Sequence, residues 1–162
     1  MRRDARRIRC NRSRAVSKVG PASARDLIAI RALLERAGLP TSDLESAGPE
    51  FAVIREQGQV IAAGALQRFG SSALLRSLVV APEHRGTGLG RAIVSELERV
   101  ARAAQISQLV LLTQTAADFF ARRGYSCIER SSAPEQMQGS EEFRSLCPSS
   151  ATCMAKSLLE SA

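Results

Sequence analysis

Apolar residues recur along this chain with two periods, and the switch between them divides it into elements. In "ASARDLIAIRALLERAGLP", Leu27, Ile28, Ile30, Leu33 and Leu34 share a face at helical spacing. Ser23 stands where an N-cap belongs, and Gly38 with Pro40 stops the pattern, so a helix is predicted from about Ala24 to Ala37. "TSDLESAGPE" reads as a polar loop or a short helix. The period then shortens. "FAVIREQGQVIAAGALQRFGSSALLRSLVVAP" holds three β-rich runs separated by "EQGQ" and "FGSS", each with the glycine that a tight hairpin turn needs. Together they predict an antiparallel meander.

The last of these runs passes, in "RSLVVAPEHRGTGLGRAIVSELERVAR", through a proline and three glycines into a helix reaching about Ala103. A strand "SQLVLLT", a helix "QTAADFFARR" and, after Gly124, a strand "YSCIER" follow. A longer loop, "SSAPEQMQGSEEFRSLCPSS", leads to a final strand in "ATCMAKSL". Strand, helix, strand in that order implies a parallel pair joined by a right-handed crossover. The fold class expected is therefore α/β with a mixed central sheet: an antiparallel meander leading into a parallel pair, with helices on both faces.

At 162 residues the chain has the length of about one domain. Its formal charge of +7 suggests a polyanionic partner until the charge is located. Residues 1–18, "MRRDARRIRCNRSRAVSK", hold seven Arg, one Lys and one Asp, so the whole excess sits there, and the fifteen basic and fifteen acidic residues that remain cancel. Residues 19–162 are thus expected to form one neutral domain behind a basic tail. That tail admits three readings: a disordered extension, a basic arm for nucleic acid or an anionic membrane, and an organelle-targeting peptide. It lacks the apolar core of a secretory signal, and no apolar run in the chain is long enough to span a bilayer. The four cysteines, Cys10, Cys127, Cys147 and Cys153, show no C-x-x-C spacing, and with a single histidine no ordinary zinc site is expected. Free thiols and a reducing, cytoplasmic compartment follow.

The glycines of "HRGTGLGRA" carry the chemistry. A helix beginning near Gly88 has N–H groups without intrahelical partners in its first turns. Gly86, Gly88 and Gly90 let a ligand come close to them, and the helix dipole favours an anion. The site suits a phosphate or pyrophosphate, with Arg85 and Arg91 flanking it for charge-assisted bonds. A Walker loop needs Gly-Lys-Ser/Thr and a dinucleotide fold needs G-x-G-x-x-G; G-x-G-x-G is neither. On spacing alone, a glycine turn that only packs a helix against its strand stays open.

"LVVAPEHRGTGLGRAIVSELE" resembles the acetyl-CoA signature of the GNAT superfamily of N-acetyltransferases, a strand ending in V-x-P-x-x-R followed by Q/R-x-x-G-x-G/A, here Arg85, Gly88 and Gly90. The later "FFARRGY" is similar to the family's aromatic-x-x-x-Gly-aromatic segment, and the order of elements matches from about Val19 to Leu158. More narrowly, "GLPTSDL", "LLTQTAADFFARRGY" and "EFRSLCPSSATCM" resemble the arsenic-resistance-associated N-acetyltransferases, which are themselves similar to small amino-acid N-acetyltransferases.

The resemblance implies acetyl-CoA as co-substrate and no metal. Its pyrophosphate would rest on backbone amides of the loop Arg85, Gly86, Thr87, Gly88, Leu89, Gly90 and Arg91, and its pantetheine arm would pair with the main chain of Leu78, Val79 and Val80. In the family a bulge in this strand splays it from the next parallel strand, and a backbone N–H near Leu78 would point at the thioester carbonyl. Thr113 stands where an Asn often contacts the cofactor, and Phe120 where many members have a Tyr general acid. Leu74 stands where many have a Glu. The catalytic acid and base are therefore unassigned, and the chemistry is expected to rest on positioning, with water protonating the thiolate. Tyr125 and the pair Phe119 and Phe120 read as core, and His84 as a solvated loop residue.

The acceptor implied is the amine of a small amino-acid-like compound, linked through the narrower resemblance to organoarsenicals. Arg76 and Arg144 are the candidate ligands for its carboxylate. Neither a nucleic acid nor a membrane is expected as partner, and a homodimer stays open. Two other functions remain: a non-catalytic acyl-CoA-binding regulatory module, kept open by the absent Glu and Tyr, and a protein N-terminal acetyltransferase.

Overall fold

The computed structural model describes residues 18–159. All but Lys18 of the predicted basic tail lies outside the described residues, and Cys10 with it. One seven-stranded sheet organises the rest, in the order β1-β2-β3-β4-β5-β7-β6. Its strands are β1 (Val19–Pro21), β2 (Glu50–Glu56), β3 (Gln59–Phe69), β4 (Ser72–Val80), β5 (Gln108–Thr113), β6 (Ser126–Cys127) and β7 (Thr152–Ser157). The predicted meander is β2-β3-β4, antiparallel throughout. Its first turn places Gln57 and Gly58 at φ 51° and 77°, as a two-residue hairpin loop demands. The parallel pair is β4 with β5, and β7 inserts antiparallel between β5 and β6.

Helices cover both faces. The main ones are α1 (Leu27–Arg36) and α3 (Leu89–Ala103), with the shorter α2 (Leu44–Ala47), α4 (Ala117–Ala121) and α5 (Glu135–Gln138). Consecutive strand residues point to opposite faces, and β4 shows the consequence. Leu75 packs with Ile93 and Leu97 of α3, whereas Leu74 packs with Val110, Met137 and Phe143 in a second cluster. Gly64 of β3 sits so close under α3 that a Cβ there would lie 2.5 Å from a methyl carbon of Ile93. Glycine is what lets this helix approach the sheet.

Some elements differ from expectation. The first three residues of the predicted first helix, Ala24–Asp26, form a 3₁₀ turn. The strand expected in "YSCIER" pairs over two residues only, and the predicted loop before the last strand contains α5 and a π-helical turn, Glu142–Leu146. Edge strand β1 carries no periodic signal, because three residues are too few to show one.

The entry to α1 is held by charge. Asp26 accepts from the Ser23 N–H at 2.7 Å and pairs with the Arg55 guanidinium of β2. The bond from Arg55 first, then the Ser23 amide, lowers the Asp26 pKa from 3.8 to about 2. A carboxyl depressed on folding stabilises the fold above its unfolded pKa and loses that contribution as pH falls through its folded one. Asp26→Asn is therefore expected to cost on the order of 1–2 kcal/mol at pH 7, Arg55 being partly exposed. In urea titrations the deficit should shrink between about pH 4 and pH 2; a deficit constant with pH would remove the ion pair from the account.

Candidate active site

The sheet opens at its centre. β4 and β5 pair only from Ser72 to Leu74 against Gln108 to Val110, so the β5-facing flank of β4 from Leu75 to Val80 has no strand partner. On the other side of β4 the register with β3 slips: Ala63 faces Val79 but Ala65 faces Arg76, which leaves one extra residue in β4. Ser77 absorbs it at φ 56°, a left-handed conformation that a non-glycine residue adopts at a cost. A bulge increases the local twist, and this one lies in the stretch of β4 that has already lost its pairing with β5 after Leu74.

A cleft of about 650 Å³ fills the gap. Of the residues singled out from the sequence, Arg76, Leu78, Val79, Val80, Arg85, Gly90, Thr113 and Phe120 line it. Gly86, Thr87, Gly88 and Leu89 form the loop and helix start between Arg85 and Gly90, and Arg91 follows in the first turn of α3. Gly86 and Gly88 have φ of 76° and 84°, and a Cβ on either would meet nothing within 4 Å. Their conformation demands glycine while the space above them stays open. Ala92 donates to the Gly88 carbonyl, but the N–H groups from Gly86 to Arg91 have no backbone acceptor. Six donors without a backbone acceptor thus lie in the loop before, and the first turn of, a fifteen-residue helix, at its positive end.

Cations gather there. Arg123 lies 3.6 Å from the centre of the Phe119 ring, which itself covers Gly90. Burial first, and then Arg91 and Arg122 nearby, hold the Arg123 pKa below its ordinary value. A site in which positive groups disfavour one another is improved by an anion. Thr113 ends β5, and its hydroxyl accepts from the Ala116 N–H at 3.0 Å. Phe120 is buried, edge-on to Phe119 and Tyr125 at 5.0 and 5.4 Å. The Tyr125 hydroxyl donates to Glu98 at 3.1 Å within the core, and burial raises its pKa far above that of an ordinary phenol. Tyr125 is a packing residue. His84 meets Glu56 of the hairpin and is half-buried rather than free in solvent.

The two arginines expected at a substrate carboxylate need correction. Arg76 is buried and already neutralised: both terminal nitrogens donate to Asp43 at 2.6 Å, Nη1 also reaches Gln67 at 3.0 Å, and Nη2 lies 3.0 Å from Glu142. Burial alone would lower its pKa, but these carboxylates outweigh that and raise it. Arg144 is exposed on the π-helical turn and does not line the cleft. Glu142, which does reach the cleft from that turn, was not singled out from the sequence, and Cys147, which follows the turn and also lines the cleft, was named there only among the cysteines. A polar, glycine-bearing stretch with one phenylalanine gives no period from which to foresee which side chain turns inward.

The family model "Acetyltransferase (GNAT) domain" matches residues 47–127, half of the chain, and these include the bulged strand and the glycine loop. Curated relatives are amino-acid acetyltransferases. One from Pseudomonas fluorescens is 35% identical over 91 residues, 54% of this chain and 21% of that protein. One from Mycobacterium tuberculosis is 40% identical over 73 residues, 44% of this chain and 41% of that one. The matched segment thus spans about a fifth of the first and two fifths of the second. Among solved structures, a Mycobacterium tuberculosis protein in complex with CoA is 30% identical, with a TM-score of 0.75 over 87% of this chain and 99% of its own. The N-acetylglutamate synthase of Neisseria gonorrhoeae, complexed with coenzyme A and N-acetyl-glutamate, shares the fold at 22% identity, with a TM-score of 0.77 over 90% of this chain and 36% of its own. With the splayed strands, the bulge and the anion-ready helix start in place, the chain belongs to the GNAT acetyltransferase family.

Proposed function

We propose that this protein transfers the acetyl group of acetyl-CoA to the amine of a small amino-acid-like substrate. The observation that carries this reading is the row of unpartnered N–H groups from Gly86 to Arg91 beside an unpaired strand flank. A pyrophosphate is the ligand such a row suits, and an extended amide-bearing arm is the ligand the flank of β4 suits. Coenzyme A has both, and their order along it matches the order of loop and strand.

In the resulting mechanism the pantetheine runs along Leu78 to Val80 and brings the thioester to the bulge. A main-chain N–H near Leu78 stabilises the oxyanion that forms when the amine attacks; such a donor is worth on the order of 10²–10³ in rate. The cleft continues past Arg76 to the end of α1 at Ala37 and to Glu142, which leaves room for the acceptor opposite the phosphate loop. The curated relatives being amino-acid acetyltransferases supports a free amino acid as that acceptor. The narrower sequence resemblance extends the class to amino-acid-like organoarsenicals. A cytoplasmic setting is part of the proposal, supported by the free thiols of Cys127, Cys147 and Cys153. Among the described residues no helix is long and apolar enough to cross a membrane.

Free-thiol release from acetyl-CoA, measured across a panel of glutamate and other amino acids, polyamines, aminoglycosides, organoarsenicals and peptide N-termini, tests this. Turnover is expected to be highest with a free amino acid or its arsenical analogue. Peptides outperforming every free amino acid would point to protein N-termini instead, and coenzyme A binding without turnover of any amine would leave the regulatory module.

A further inference from the structure

The acceptor side of the cleft carries a buried charge cluster whose sign is opposite to the one expected for carboxylate recognition. Asp43, Arg76 and Glu142 are all buried, at 2, 4 and 7% exposure. With all three ionised, one guanidinium stands between two carboxylates and the cluster is net negative. Both Asp43 oxygens are occupied by Arg76 at 2.6 Å. Glu142 is not saturated: its Oε1 accepts from the Cys147 thiol at 3.1 Å, while Oε2, 3.0 Å from Arg76 Nη2, receives no hydrogen bond from it or from any other group. A buried carboxylate oxygen without a donor is costly unless something else supplies one.

Geometry and chemistry converge on Glu142. It is the one carboxylate lining the cleft, and no histidine or tyrosine lines it. It projects from a π-helical turn, a departure from regular helix frequent at functional sites. Its salt-bridge partner Arg76 immediately precedes the bulge at Ser77, and Arg76, Ser77 and Glu142 line the same cleft. Cys147, the other titratable group at hand, is no competitor. Burial first, then Glu142, pushes its pKa up to about 12, which leaves it a neutral donor. Arg130 is a further charge on this side, its Nη1 and Nη2 donating to the carbonyls of Phe143 and Pro148, while Arg144 and Glu141 of the same segment are exposed.

Resting on the acetyltransferase reading above, we infer that Glu142 is the catalytic base: its Oε2 binds the acceptor's ammonium group and takes one proton from it. The free amine then attacks the acetyl carbonyl, and a C–N bond forms. As the C–S bond breaks, the second nitrogen proton passes to the departing thiolate, and the third stays on the amide. Coenzyme A leaves as the thiol, and Glu142 returns its proton to solvent. The net negative cluster favours the cationic form of the amine on arrival, which is the abundant form for an α-amino group of pKa about 8.

The experiment is Glu142→Gln, which keeps the shape and an acceptor for Cys147 and leaves Arg76 paired with Asp43. With the best amine of the panel, kcat is expected to fall about 10²-fold at pH 7, while acetyl-CoA affinity by calorimetry stays unchanged. The loss should shrink at pH 9.5, where solvent has already deprotonated the amine. A variant within twofold of the wild type at pH 7, or one whose loss is the same at both pH values, overturns the base. The wild-type protein gives a second readout that needs no variant. The acid limb of kcat/KM should stay in place when the amine is exchanged for a less basic one; a limb that moves with the amine's own pKa overturns the inference. No wild-type turnover with any amine would overturn the acetyltransferase reading and Glu142 with it, whereas normal turnover by Glu142→Gln counts against Glu142 alone.

Discussion

Gly88→Asp should weaken acetyl-CoA binding about a hundredfold without unfolding the protein. Gly88 sits at φ 84° as the N-cap of α3, and a Cβ there would meet no protein atom within 4 Å. Asp is among the residues that tolerate the left-handed region, so the cost in stability is about 1–2 kcal/mol. What the new carboxylate does occupy is the space above the N–H groups of the loop, which it can itself accept from. It removes donors worth roughly 1.5–3 kcal/mol each to a charged ligand and adds like-charge repulsion, so a loss of about 2.8 kcal/mol, or two powers of ten, is a moderate expectation. Gly88→Asn separates the causes, since it has the same shape and backbone tolerance without the charge. Calorimetry should rank glycine tightest, Asn intermediate and Asp weakest. Equal affinities for all three would remove this loop from the coenzyme site, and equal losses for Asn and Asp would make the effect steric.

What could be read from the sequence divides along the range of the interactions concerned. The meander, the helix after the glycine loop and the parallel pair were legible because each is carried by a local period or by glycine chemistry: Gly58 turns a hairpin, and Gly88 starts a helix. The Arg85 to Arg91 segment was legible as a glycine-bearing turn into a helix for the same reason, seven consecutive residues whose types and order carry a local signal. The acceptor side was not. Arg76 was visible as a basic residue on a central strand, but the two carboxylates that claim it come from 33 residues earlier and 66 later, out of a polar loop and a π-helical turn. No period links such residues. A lone arginine on paper therefore reads as a free cation, when the fold has made it the middle of a net negative cluster. The bulge at Ser77 was foreseen only through family resemblance, since "RSLVV" continues as an unbroken strand and nothing in a serine announces a positive φ. Similarly, Met137 and Phe143 cap the second core cluster from a stretch whose polar composition predicts a loop.

The largest effect on stability is expected at that same cluster. Arg76→Met removes the guanidinium and leaves Asp43 and Glu142 facing each other in a buried site, and stranding a buried charge in this way costs about 3–5 kcal/mol. The methionine regains some apolar packing, but a flexible side chain cannot offset two unpaired carboxylates. Arg76→Lys keeps the charge and still loses the fork, for an ammonium cannot make two parallel bonds to the Asp43 oxygens, so it should fall between the two. Second substitutions show which term dominates. Adding Glu142→Gln to Arg76→Met removes one stranded carboxylate and is expected to recover part of the loss, although the same change in the wild-type background costs little. pH provides an independent check on the sign. Crowded buried carboxylates without a cation relieve their repulsion by taking up a proton, so the variant's native state binds protons more readily than its unfolded chain. Its deficit relative to the wild type must then shrink as pH is lowered from 7 toward 4. Urea denaturation at the two pH values measures this directly. A deficit below about 1 kcal/mol, or one that grows on acidification, would mean that the ion pairs contribute no more than exposed ones do, and the cluster would lose its claim to hold α2, β4 and the π-helical turn around the acceptor side of the cleft.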